Sequence, residues 1–197
     1  MSVWLDHLTS ILMAGVVILI LAAIWYRNQV SAVATTNTYR DRARIEVVRE
    51  TLDRDMARLG ADVDPSEAAI LGWSWTGTTR TFEFRGAVHE AGTVDRIRYL
   101  ATRTACTTSD ASTCWRLQRQ TWTGSGYAVS GVDMEVDTVQ VSLTPTGPVA
   151  DATGVSIRIV LPAPELRPNT TATDPRRLPI SLDRYYRLVN QVLRTSA

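Results

Sequence analysis

The most distinctive pattern in the chain is an uninterrupted apolar run near its start. From Leu8 to Tyr26 it reads LTSILMAGVVILILAAIWY, 19 residues without a charge. As a helix this run rises ~28 Å, close to the hydrocarbon thickness of a bilayer. Trp4 lies before it and Trp25 and Tyr26 close it, where interfacial aromatic rings belong, and Arg27 then ends it. A helix apolar on every side has no place inside so small a protein. Residues 1–27 are therefore predicted to span a membrane. The preceding MSVWLDH has no Lys or Arg, and the run exceeds a typical secretory h-region, so the segment is expected to stay as an anchor.

Past the membrane, NQVSAVATTNT (28–38) is β-branched and weakly helical, and is expected to fray or bend. The helical period then returns. Ile45, Val48, Leu52, Met56 and Leu59 fall at spacings of 3, 4, 4 and 3, one stripe down one side. Glu50 precedes Arg54 by four residues, a favourable surface pair, and Gly60 fits the position after a helix end. No proline occurs before Pro65. A helix over 2–59 would be ~87 Å long, apolar in its first half and amphipathic in its second. Residues 28–60 are predicted as a stalk whose stripe packs on the head, 61–197.

In the head the period changes to two. Segments 69–76, 80–86, 95–104, 114–121, 136–144 and 154–161 are predicted strands. Phe82 and Phe84 alternate with Glu83 and Arg85, and Ile157 and Ile159 with Ser156 and Arg158, as in half-buried antiparallel strands. The turns carry GTT, EAGT, GSG and PTGP. Residues 162–179 hold five prolines and read as an irregular loop. The last segment, ISLDRYYRLVNQVLR, fits either an edge strand or a short helix. The predicted fold class is α+β: a long N-terminal helix whose distal half packs on an antiparallel sheet.

Composition narrows the chemistry. Lys+Arg is 21 against 20 for Asp+Glu, a net charge of +1, which argues against a strongly basic nucleic-acid binder. Every cation is arginine, so a lysine Schiff base and a P-loop lysine are excluded. His7, His89, Cys106 and Cys114 are too scattered for a zinc site. The expectation is a protein that is not an enzyme and needs no cofactor or metal.

Cys106 and Cys114 bracket the polar TTSDAST and read as a disulfide, which needs an oxidising compartment. Their spacing is not that of a redox C-x-x-C motif. Residues 27–60 carry seven arginines against five acids, which by the positive-inside rule would place this side in the cytoplasm. Those arginines are interspersed with acids along a helix, so the cysteines decide: the head is expected outside the cytoplasm.

Weaker candidates remain. Asp62, Asp64, Ser66 and Glu67 lie close together but lack the glycine and length of a calcium loop, so a solvated turn is expected. His89 beside Glu90 reads as a surface histidine. Asn169-Thr170-Thr171 matches a glycosylation triplet. Trp73, Trp75, Trp115 and Trp122 fit cross-strand packing, with a sugar-binding face as the alternative. Arg116 and Arg119 with Trp122 offer a minor DNA-contact reading that the charge balance opposes.

The order of these features resembles the type IV pilin superfamily, and within it the W-type minor pilins and the J-type pseudopilins of type II secretion. SVWLDHLTSILMAGVVILILAAI is similar to the mature N-terminal helix of prepilins, where an acid lies shortly after the processed N-terminus; Asp6 falls at that place. ETLDRDMARLGA (50–61) resembles the end of that helix in W-type minor pilins. GTVDRIRYLATRTACTTSDASTCWRLQRQT resembles their paired strands, in which a tyrosine-bearing strand leads to one with a Leu-x-Arg core. SGVDMEVDTVQVSLTP followed by GVSIRIVL is similar in kind.

The resemblance implies a structural subunit that assembles through its N-terminal helix into a pilus-like or secretion filament. It implies partners: membrane lipid, other pilin-like subunits and an assembly platform. It also implies that Asp6 pairs with the N-terminal ammonium of a neighbouring subunit. An acid among apolar residues is costly in lipid and calls for such a partner. The alternative for Asp6 is an interfacial residue in water. Ala14 and Gly15 are small enough for close helix approach, and equally ordinary in a lone anchor. The expected location is the inner (cytoplasmic) membrane with an extracytoplasmic head. The alternative function is a single-pass anchored binding module that never enters a filament.

Overall fold

The computed structural model describes residues 2–89, 92–107, 113–146, 148–161 and 180–190. The proline-rich segment 162–179 and the Asn169 triplet lie outside that set. The chain forms two compact units, Met1–Asp41 and Arg42–Ala197. A single helix, α1 (Ser2–Ala57), starts in the first and ends in the second.

In the first unit α1 is helical through 28–38, where fraying was expected. The threonines there turn their hydroxyls back along the helix. Thr35 donates to the Ser31 carbonyl and Thr36 to the Ala32 carbonyl, each at 2.9 Å. Such back-bonding satisfies the hydroxyl within the helix, so the weak propensity of Thr does not break it.

The described residues of the second unit form eight strands: β1 (Ile70–Trp75), β2 (Thr79–Gly86), β3 (Asp95–Thr104), β4 (Cys114–Trp122), β5 (Tyr127–Val136), β6 (Thr138–Thr144), β7 (Gly154–Val160) and β8 (Ser181–Arg187). They form two antiparallel sheets rather than one. The first is a meander, β1-β2-β3-β4-β5; the second has the order β6-β7-β8. The break falls at Asp137, whose amide donates to the Val160 carbonyl at 2.8 Å and so starts the second sheet. β5 was absent from the predicted strands because Gly131 and a shift in register interrupt its alternation. Within the terminal segment Ser181–Arg187 form a strand, β8, at the edge of the second sheet; residues 191–194 lie outside the described residues.

One apolar core joins the end of α1 to the inner faces of both sheets. Val48, Leu52, Met56 and Leu59 are buried in it, with Ile45 partly buried beside them. From the first sheet come Phe82, Phe84, Ile97, Tyr99 and Leu117; from the second come Val139, Val155, Ile157, Ile159 and Leu182. The stripe predicted for the stalk is thus the packing face. Leu59 lies just past the helix end, where it bridges to Gly86. There the backbones come so close that a Cβ on Gly86 would collide with the Arg58 carbonyl oxygen and sit 3.2 Å from the Leu59 Cα. Gly60 turns the chain out of the helix at φ 76°, and its amide donates to the Arg85 carbonyl at 2.8 Å.

Candidate assembly surface and the stalk-to-head junction

The N-terminal part of α1 carries an apolar surface that the chain itself does not bury. Its described large apolar residues from Leu8 to Tyr26 are between 44% and 71% exposed, on all sides of the helix. The helix is long and apolar enough to cross a membrane. Ala14 and Gly15 lie on this surface, and a Cβ on Gly15 would meet nothing within 4 Å. Asp6 belongs to α1, but its side chain lies outside the described set.

At the other end of α1 a polar cluster sits inside the apolar core. Asp55 is 0% exposed and Arg119 2%. Asp55 falls three residues after Leu52 and four before Leu59, so it occupies the apolar stripe and faces the sheet. Arg119 follows Leu117 by two along β4 and shares its inward face. Tyr99 lies directly opposite Arg119 on β3. All three meet at the carboxylate. Arg119 donates from Nε to Asp55 Oδ2 at 2.6 Å and from Nη2 to Oδ1 at 3.2 Å, and the Tyr99 hydroxyl donates to Oδ2 at 2.6 Å.

The remaining nitrogen of Arg119 is met by β5. Pairing jumps from Gln118–Asp133 to Gln120–Val129, so Ser130, Gly131 and Val132 crowd opposite Arg119. This bulge, with Gly131 at φ 90°, brings in Ser130, whose Oγ accepts from Nη1 at 2.7 Å and whose carbonyl accepts at 3.3 Å. Thr121 Oγ1 accepts from the same nitrogen at 3.3 Å. Burial alone would lower the Arg119 pKa, but the Asp55 carboxylate outweighs it and holds it above the ordinary value. Burial, then the Asp55 charge, pushes the Tyr99 hydroxyl well above its usual range.

Further contacts surround the junction. Tyr186 on β8 donates to Asp53 Oδ1 at 2.7 Å, Asn190 Nδ2 donates to the Leu59 carbonyl at 3.0 Å, and Arg58 Nη1 to the Ala87 carbonyl at 3.0 Å. The two sheets are tied by Arg80, whose guanidinium lies between Trp75 (4.2 Å) and Trp115 (3.9 Å) and donates to the Val139 carbonyl of β6. Trp73 stacks on Trp75 at 5.4 Å and meets Phe82 edge-on at 6.0 Å. These three tryptophans therefore take part in packing. Trp122 is on the outer face, edge-on to Tyr127 at 5.1 Å.

The remaining sequence candidates separate. Arg119 is no surface contact for DNA: it points into the core, on the opposite face of β4 from Arg116 and Trp122. Arg116 forms a two-pronged pair with Asp133, both bonds 2.8 Å. Asp64 Oδ1 accepts from the Ser66 amide at 2.8 Å, Asp62 accepts from the Gly92 amide at 2.9 Å, and Glu67 pairs with Arg85. These groups share no common point. His89 is exposed, its Nδ1 2.9 Å from Asp95 Oδ2. Cys106 and Cys114 form a disulfide across the β3–β4 hairpin, with Cys114 buried opposite Thr104.

The chain matches no protein-family model, no curated protein and no solved structure.

Proposed function

We propose that the chain is a structural subunit of the minor pilin or pseudopilin type, which assembles through its N-terminal helix with other pilin-like subunits. In this reading it starts as a single-pass inner-membrane protein with an extracytoplasmic head and is taken into a pilus-like or secretion filament by an assembly platform. The observation that carries the reading is the exposed apolar surface from Leu8 to Tyr26. Such a surface is stable in lipid or against other helices of its kind, and filament growth exchanges the first for the second. Asp6 would pair with the N-terminal ammonium of the next subunit, because two opposite charges buried together avoid part of the desolvation cost of each alone. Ala14 and Gly15 would let neighbouring helices approach. The disulfide in the head fits an oxidising compartment.

The test is mechanical shearing of cells that carry the tagged chain. The subunit is expected in the sheared filament fraction together with other single-helix subunits, and Asp6→Ala is expected to remove it from there while leaving it in the membrane. Recovery in the membrane fraction alone, unchanged by Asp6→Ala, would assign the chain instead as an anchored binding module.

A further inference from the structure

The apolar contacts that hold the end of α1 to the sheets do not by themselves choose one setting of the helix. Val48, Leu52, Met56 and Leu59 are all aliphatic or thioether side chains, spaced one turn apart. Within the helix, a slide of one turn, ~5.4 Å, brings Val48 to the place of Leu52 and Leu52 to that of Met56, while Leu59, past the helix end, is held by its backbone bridge to Gly86. Cores accept such exchanges when total volume is kept, and they lose uniqueness before they lose stability. The polar cluster does not accept them. A slide in one direction brings Thr51 and Leu52 to the place of Asp55, and in the other Arg58 and Leu59. None of these carries a carboxylate, and Arg58 would face Arg119 with like charge.

The sheet side of the cluster is already fixed. Ser130, Thr121 and the β5 bulge hold the Arg119 guanidinium from one side, and Tyr99 stands opposite it on β3. The helix contributes the Asp55 carboxylate, which receives donors from both strands. Arg54 also reaches it, with Nε 3.7 Å from Oδ1 and the side chain largely exposed. Taking two charges out of water roughly cancels their attraction, so a buried pair adds little stability over apolar packing, whereas separating its members is costly.

We infer that Asp55, Arg119 and Tyr99 form a register lock: together with the backbone bridge at the helix end they select one axial and rotational setting of the stalk segment on the head, without adding net stability over an apolar pair. The lock works inside the head and stands whether or not the chain assembles.

The test uses the full chain in detergent micelles with 13C at the methionine ε-methyls. The four methionines are Met1, Met13, Met56 and Met134, and Met56 lies in the stripe. The wild type is expected to give one Met56 peak. In Asp55→Leu/Arg119→Met the urea midpoint is expected to match the wild type while the Met56 peak splits. A single unshifted Met56 peak in that variant overturns the lock. A midpoint lowered as far as in Asp55→Asn also overturns it, because the cluster is then a source of stability. If the double variant does not fold, the isosteric Asp55→Asn decides: a split Met56 peak supports the lock, and one unshifted peak overturns it.

Discussion

Tyr99 shows what one buried hydroxyl contributes. Its donation to Asp55 is a hydrogen bond to a charged group, worth ~1.5–3 kcal/mol. Tyr99→Phe keeps the ring that stacks on Phe84 at 6.5 Å and removes only that bond, so a loss near the lower end of that range is expected from urea unfolding at neutral pH. The same hydroxyl sets an alkaline limit. Below the ordinary tyrosine value of 10.0, folded and unfolded chains both hold the proton and stability does not depend on it. Above that value the unfolded chain releases the proton while folded Tyr99 keeps it, so stability falls as pH rises. Tyr127, pushed up to about 12 by burial and the nearby Glu83, acts in the same direction, as does Tyr186 beside Asp53. The urea midpoint is expected to decline from pH ~10 upward. Tyr99→Phe should show a shallower decline, and an equal slope in both proteins would contradict the assignment.

At the scale of elements, the strongest periodicities were the most legible. The apolar run and the stalk stripe predicted α1 to within two residues of its observed end at Ala57. The alternation in β2 and β7 placed those strands. β5 escaped because a bulge breaks the period of two, and the same bulge brings Ser130 to Arg119. Asp55 did leave a signal, a carboxylate within an apolar stripe. Arg119 left a weaker one, an arginine in phase with Leu117. Neither could be paired from sequence, because the partners lie 64 residues apart and meet only when the helix docks. The disulfide was legible because its loop is local. It is expected to contribute ~2–3 kcal/mol by restricting the unfolded chain. Cys106→Ser/Cys114→Ser should lower the free energy of unfolding by that amount, read from a lower urea midpoint, while far-UV circular dichroism stays unchanged. A midpoint equal to the wild type's would mean that the β3–β4 pairing alone holds the hairpin.

For the whole molecule, two signals in the sequence point to opposite sides of the membrane, and their physical weights differ. The positive-inside rule counts Lys and Arg near a membrane end, gives Asp and Glu little weight, and loses force for long domains, which cross largely regardless of charge. After Arg27 the next charged residue is Arg40, and from there basic and acidic residues mix along the stalk: Asp41, Glu46, Glu50, Asp53 and Asp55 among Arg42, Arg44, Arg49, Arg54 and Arg58. The arginines lead into a long folded domain, so they hold this side in the cytoplasm only weakly. A disulfide carries more weight, since a reducing cytosol opens it. The head is accordingly expected on the oxidising side. After mild reduction, a membrane-impermeant maleimide added outside spheroplasts should label Cys106, the less buried of the two cysteines. Labelling confined to inside-out vesicles would reverse the orientation.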